Sequence, residues 1–246
     1  MSTDRNRPGR IFMEKKWTVG IEVSIACRLG RSAVAVVRTL DVDPREHDAR
    51  VVEEALAVLR EGGIVAYPTE TFYGLAVDAR NRAACDRLFA LKSRPPEKAL
   101  PCIVSGVPQL ESVARNLGKA ALLLARRFWP GPLTLVVEAR PGLAACSPGG
   151  GIAVRASGLR LPRDLAEGLG APVTATSANR TGSPPATTAE EALSDLGSEL
   201  DLLLDGGPCP GGLPSTIVDV RETPPRLVRK GRVSFEEVER ALRDLS

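Results

Sequence analysis

From residue 43 to its end the chain alternates helix-period stretches with short apolar runs, separated by Gly, Pro, Asn or Asp. Neither kind of element can bury its apolar side alone, so this alternation restricts the fold to a sheet with helices packed on it. Asp43-Pro44 is placed to open a helix whose Val51, Val52, Ala55, Leu56 and Leu59 share one face, with Gly62-Gly63 as its stop. Ile64-Val65-Ala66-Tyr67 follows as a buried strand, and a second helix fits residues 81–92, capped by Asn81 with Ala84, Leu88 and Leu91 inward. A strand is expected near 102–104, then helices over 108–116 and 118–128. Further strands fit "LTLVVEA", "GIAVRA", "PVTATS", "LDLLLD", "STIVDV" and "RLVRK", with helices near 162–168 and 188–196 and a last helix in "SFEEVERALRDL". The connections vary in length, which predicts an α/β (by some schemes α+β) fold with a mixed rather than all-parallel sheet.

Of the 246 residues, 43% are hydrophobic, enough for a packed core, and no repeat or low-complexity linker divides the chain after residue 43. One domain over 33–246 is expected, preceded by an extension, 1–32, that has apolar content ("WTVGIEVSIAC") without a clean period and is expected to be poorly ordered. No apolar run approaches the roughly 18 residues of a membrane helix, and the basic N-terminus lacks the apolar core of a secretion signal. A cytoplasmic protein without a membrane segment is the expectation.

Five cysteines stand far apart with no C-x-x-C pair, which predicts reduced and mostly buried thiols. The single histidine, His47, sits in the polar run "DPREHDAR" and reads as part of a surface helix start. So few His and unpaired Cys argue against a structural zinc site or a Ser-His-Asp triad. The net charge of +3 is uneven: residues 1–40 hold eight Lys/Arg against three Asp/Glu, the remainder 25 against 27. Bulk charge therefore gives the body no general affinity for nucleic acid.

The chain contains no P-loop, no G-x-G-x-x-G after a strand and no H-E-x-x-H. Polar clusters at strand ends remain, where open sheets place their sites. "YPTETFYGL" spends Thr69, Thr71 and Tyr73 on a turn that Pro and Gly alone could make; they hold either the turn or a small polar ligand. Lys92-Ser93-Arg94 follows a helix end, where cations complement the helix dipole or grip a polyphosphate. In "TATSANRTG", Ser177 and Asn179 point the same way if the segment stays extended. Arg155 closes an apolar strand, where a guanidinium needs an anionic partner; Ser215-Thr216 and Arg229 complete the set.

Taken in order, "PTETFYGL", "KSRP", "WPGPLT", "AVR", "SAN", "STI" and "RKG" cover residues 43–235 in a pattern that resembles the YrdC-type threonylcarbamoyl-AMP synthases in their short, single-domain form. The resemblance implies a three-layer fold: a strongly twisted mixed sheet with a deep concave face and helices packed on it. It also implies an enzyme, a nucleotidyltransferase that joins L-threonine, bicarbonate or CO2 and ATP, with Mg²⁺, into threonylcarbamoyl-adenylate and pyrophosphate. The product feeds threonylcarbamoyladenosine formation in tRNA beside the anticodon, through separate threonylcarbamoyl-transfer proteins.

Position by position, the resemblance implies that Thr71, Tyr73, Arg155 and Ser215 hold threonine. It places Lys92, Arg94, Ser177 and Asn179 at the ATP phosphates and reacting centre, with Thr187 and Arg229 completing the nucleotide contacts, and it implies no metal ligand among the side chains. Departures are visible. Ala99-Leu100 replaces a Pro-Leu pair, Ile103 stands where a histidine is usual, "VRASG" replaces V-R-x-P, Gly149-Gly150-Gly151 occupies the place of a threonine, and Lys230 follows Arg229 in place of Pro. Two alternatives accompany this reading: a carbamoyl-transfer domain like that of hydrogenase maturation, and a non-catalytic module holding double-stranded RNA by shape and phosphate contacts.

Overall fold

A computed structural model describes residues 22–27, 35–93 and 99–243. In chain order the elements begin with β1 (Glu22–Cys27), β2 (Ala35–Asp41), α1 (Ala49–Arg60), β3 (Val65–Tyr67), β4 (Gly74–Ala76), α2 (Arg82–Leu91) and β5 (Pro101–Ile103). Next come α3 (Val107–Val113), β6 (Ala114–Arg115), α4 (Lys119–Phe128), β7 (Leu133–Ala139), β8 (Gly151–Arg155), α5 (Arg160–Leu169), β9 (Val173–Thr174) and β10 (Thr176–Ser177). The chain closes with α6 (Ala189–Leu196), β11 (Leu202–Asp205), β12 (Thr216–Asp219), β13 (Arg226–Arg229) and α7 (Phe235–Arg243).

The strands form two mixed sheets, ordered β1-β2-β11-β3-β4-β10 and β13-β12-β7-β8-β5-β9, with β6 paired to β7. Strand β1, inside the segment set apart as an extension, pairs antiparallel with β2 over six residues. "PVTATS", expected as one strand, serves both sheets. Its β9 half pairs with β5, its β10 half pairs with β4, and Ala175 between them donates to the Pro101 carbonyl at 2.7 Å. Thr174 makes the crossing possible: its hydroxyl donates to Leu75 O at 2.8 Å and accepts from Val77 N at 2.9 Å, standing in for ladder bonds that the bend removes. An Asp78–Val173 bridge ties the sheets beside it.

Strand β11 is buried on both faces, which separates two apolar layers. Leu202 and Leu204 join Tyr67, Val65 and the inward sides of α1 and α5, whereas Leu203 joins Ala66 and Leu75 on the side of α2 and α6. Helix α1 buries Val51, Val52, Ala55, Leu56 and Leu59 as its period predicts but starts at Ala49, not Asp43. Asp43 instead folds an Asx turn, its Oδ1 accepting from Arg45 N (2.8 Å) and Glu46 N (3.2 Å), and Asp48 caps the helix. Helix α2 carries the expected Asn81 cap, the amide oxygen accepting from Ala84 N at 3.1 Å.

His47 corrects a sequence expectation. It is no surface residue: its side chain is 2% exposed, with Nε2 3.0 Å from Asp164 on α5. The thiols of Cys85, Cys102 and Cys209 are buried and Cys146 half-buried, all unpaired. Among the described residues no helix is long and apolar enough to cross a membrane.

Candidate active site

A cavity of about 620 Å³ opens where the two sheets meet. Its walls come from the β3–β4 turn, the ends of β5, β7 and β8, the β9–β10 crossing, and the segments entering β12 and leaving β13. Seven residues singled out in the sequence converge on it: Thr69, Thr71, Tyr73, Arg155, Ser177, Ser215 and Arg229. Among the described residues the charged members of the wall are Arg155 and Arg229, which with its hydroxyls give a lining suited to carboxylate and phosphate groups.

In the β3–β4 turn the two threonines divide the work. Thr69 Oγ1 donates to Phe72 O at 2.7 Å and receives the Thr71 and Phe72 N–H groups, closing the turn. Its proton is then committed, so across the 3.1 Å contact between the two hydroxyls Thr71 is the donor. Thr71 is left with lone pairs for a donor such as an ammonium group. Gly74 fits because a Cβ there would lie 3.1 Å from the Tyr67 ring.

Tyr73 shapes the wall without offering its hydroxyl. That group donates to Gly207 O (2.8 Å) and accepts from Gly206 N (3.1 Å), and burial, followed by the Asp205 charge, pushes the phenol well above its ordinary range. Cys102, also on the wall, is raised by burial too and is a neutral apolar surface rather than a nucleophile.

Lys92 and Asn179 are buried beside the wall, one layer behind Ser177. Lys92 Nζ donates to Ser177 O and Asn179 Oδ1, each at 2.9 Å, and to Asn179 O. Ser177 Oγ donates to Asn179 Oδ1, and the Asn179 amide donates to Arg180 O (3.0 Å) and Ser183 O (2.6 Å). The "SAN" loop is thus organised around an ammonium. Arg94 lies outside the described residues.

Ser215 Oγ sits 2.9 Å from Thr134 Oγ1 and 3.0 Å from Arg229 Nη2, and Arg229 also holds the Ser215 carbonyl at 2.8 Å. Gly231 makes this corner possible. A Cβ there would stand 2.4 Å from Pro214 O, Ser215 C and Thr216 N, so only glycine lets the chain pass so close. Thr187 is held away from the wall, where its hydroxyl and N–H bind Glu191 Oε2 (2.9 and 2.6 Å) ahead of α6. Ile103 is fully buried against Tyr67, Leu165 and Val173. Lys230 is exposed.

Two residues were passed over in the sequence. Thr134 lies in "WPGPLT" and Glu70 between the two threonines, where no local pattern marks either as part of a site. Glu70 is the partner that Arg155 required: Arg155 Nη1 pairs with Oε1, and Ser157 Oγ donates to Oε2. Burial pushes the Glu70 carboxyl up, but the Arg155 charge, the Ser157 hydroxyl and the Glu70 and Gly158 N–H groups outweigh it, and the carboxyl stays below its usual range.

The profile of the Sua5/YciO/YrdC family, described as telomere recombination, matches residues 57–231. The chain belongs to this family. Among its Sua5/YciO/YrdC relatives, a Pyrococcus abyssi protein named threonylcarbamoyl-AMP synthase is 37% identical over 193 residues, covering 78% of this chain and 57% of the relative. A Bacillus subtilis protein of the same name is 36% identical over 193 residues, with coverage of 76% and 55%. The chain thus spans little more than half the length of these two relatives. The crystal structure of P. abyssi Sua5 complexed with L-threonine superimposes with a TM-score of 0.78 at 34% identity, over 83% of this chain and 60% of that one. The fold expected from the resemblance is therefore the fold of this Sua5/YciO/YrdC member, with its mixed sheet resolved into two joined ones.

Proposed function

We propose that this chain is an L-threonylcarbamoyladenylate synthase, condensing L-threonine, bicarbonate or CO2 and ATP to threonylcarbamoyl-AMP and pyrophosphate. The observation that carries the reading is the convergence of Thr71, Arg155, Ser177, Ser215 and Arg229 on one cavity from five separate parts of the chain. The likeness to proteins named threonylcarbamoyl-AMP synthase, one crystallised with L-threonine, supports it. It also disfavours the carbamoyl-transfer alternative.

In this reading Arg155 binds the threonine carboxylate and Thr71 accepts from its amine. The neutral amine attacks CO2, forming the N–C bond of a carbamate and releasing a proton, or attacks bicarbonate, forming the same bond with loss of water and no net proton. A carbamate oxygen then attacks the α-phosphorus of ATP. The new O–P bond forms as the bond to the β-phosphate oxygen breaks, and pyrophosphate leaves with the electron pair. No side chain need accept a covalent bond, so positioning and charge carry the rate. Ser177, held by Lys92 and Asn179, and Arg229 would face the nucleotide, Ser215 would join Tyr73 on the threonine side, and Arg94 is proposed for the phosphates.

Among the described residues no carboxylate lines the cavity, and no cluster of three His, Cys, Asp or Glu occurs. Mg²⁺ favours oxygen ligands and keeps its waters, so this hydroxyl-rich wall fits an ion carried on the triphosphate, where it would neutralise phosphate charge. Its product would pass to separate threonylcarbamoyl-transfer proteins acting on tRNA. The four described thiols, all unpaired, support a reducing, cytoplasmic setting. Pyrophosphate release assayed with each of ATP, bicarbonate and L-threonine omitted in turn tests the function. Release that requires all three supports it; release indifferent to threonine, or duplex RNA binding without turnover, would replace it.

A further inference from the structure

We infer that Glu70 is a positioning residue for the amino-acid substrate, acting through Arg155 from outside the cavity. This deepens the proposed synthase reading and rests on it. Glu70 is not part of the cavity wall, whereas Arg155, 7% exposed at the end of β8, is. The turn between β3 and β4 therefore sends successive side chains in different directions: Thr71 into the cavity, Glu70 behind the opposite wall.

There Glu70 is gripped on both oxygens. Oε1 takes Arg155 Nη1, and Oε2 takes Ser157 Oγ, a hydroxyl that itself accepts from Leu159 N at 3.2 Å where α5 begins. Arg163 fixes the same corner by donating to Ser157 O at 2.6 Å. The Glu70 side chain is 14% exposed and that of Arg155 9%, so solvent screens the pair little.

A guanidinium is planar, and anchoring one Nη on a buried carboxylate restricts where the rest of the group can lie. The remaining N–H groups of Arg155 are then pre-oriented for a second carboxylate, that of the substrate. Glu70 also offsets the Arg155 charge, so the wall meets a zwitterionic amino acid with a directed hydrogen-bond edge instead of an unpaired cation. Without Glu70 a buried Arg155 would seek water or a phosphate oxygen, and threonine binding would lose its geometry before ATP binding did.

The test is the threonine and ATP dependence of turnover, with L-threonine binding measured by calorimetry, for wild type, Glu70→Ala, Glu70→Gln and Ser157→Ala. Glu70→Ala is expected to raise the threonine KM and Kd about tenfold or more while the ATP KM stays within about twofold. Glu70→Gln keeps an acceptor for Arg155 and should restore most of the threonine affinity. Ser157→Ala, which removes a single anchor, should fall between wild type and Glu70→Ala, and it gives a reading even if Glu70→Ala does not fold. A merely structural role would lower stability and the active fraction without shifting threonine KM selectively. Unchanged threonine binding in Glu70→Ala or Ser157→Ala, or equal shifts for both substrates, would overturn the inference alone. Failure of the wild type to bind threonine would overturn the synthase reading together with it.

Discussion

Lys92 Nζ lies 2.9 Å from both Ser177 O and Asn179 Oδ1, and the Asn179 carbonyl completes a ring of oxygens around it. An ammonium has three protons, and this geometry spends them on the loop that carries Ser177. Lys92→Ala would leave buried carbonyls unsatisfied, at a cost of about 3 kcal/mol in unfolding free energy, together with a large fall in turnover. Lys92→Arg should not rescue it, because a planar fork cannot match oxygens placed around a point. Denaturant unfolding beside turnover decides the matter: full stability with lost activity would put Lys92 on the substrate directly.

The hydroxyls of Thr134 and Ser215, 2.9 Å apart and buried, predict a measurable coupling. Thr134→Val and Ser215→Ala should each destabilise, and in a double-mutant cycle the pair should show an interaction of about 1 kcal/mol. Strict additivity would mean that the two side chains reach Arg229 and the cavity independently.

Gly231→Ala is predicted to be more harmful than an exposed Gly→Ala change elsewhere. Its Cβ would meet three backbone atoms at 2.4 Å, so the segment 214–216 must move, and with it Ser215. A loss of about 2 kcal/mol or more is expected, with weakened substrate binding. A variant as stable and active as wild type would show that this corner is loosely packed.

Acid sensitivity should trace to Glu70 in part. Its folded pKa lies below the ordinary 4.5, so the unfolded chain binds the proton first. The pair then contributes stability above that value, and the contribution is lost as pH falls through the folded pKa. In Glu70→Gln this component disappears. Unfolding free energies measured between neutral pH and about pH 3 should fall less steeply for the variant than for wild type. Parallel curves would deny Glu70 a part in acid unfolding.

Helical pattern and capping chemistry made much of this fold readable: Asn81 and the buried stripe of α1 stand where the sequence places them. Local competition and topology hid the rest. Asp43 forms its own turn and delays α1, Thr174 replaces ladder bonds and splits one strand between two sheets, and His47 is buried because α5 returns Asp164 beside it. For the site, the family resemblance pointed to Thr71, Tyr73, Arg155, Ser177, Ser215 and Arg229, which the fold brings around one cavity. It could not separate wall from support: Lys92 and Asn179 stand behind Ser177, and Glu191 draws Thr187 aside. Glu70 was implied by the need of a strand arginine for an anion, yet the two are 85 residues apart, and only the packing of the β3–β4 turn against β8 names the partner.

The central claim, that one cavity joins threonine to the nucleotide, is tested most directly by supplying isotopically labelled bicarbonate with ATP and L-threonine and separating the products. Label in an adenosine-containing species that forms only when all three substrates are present is the predicted result. Pyrophosphate or AMP formed without label in any such species, or equally without threonine, would contradict it.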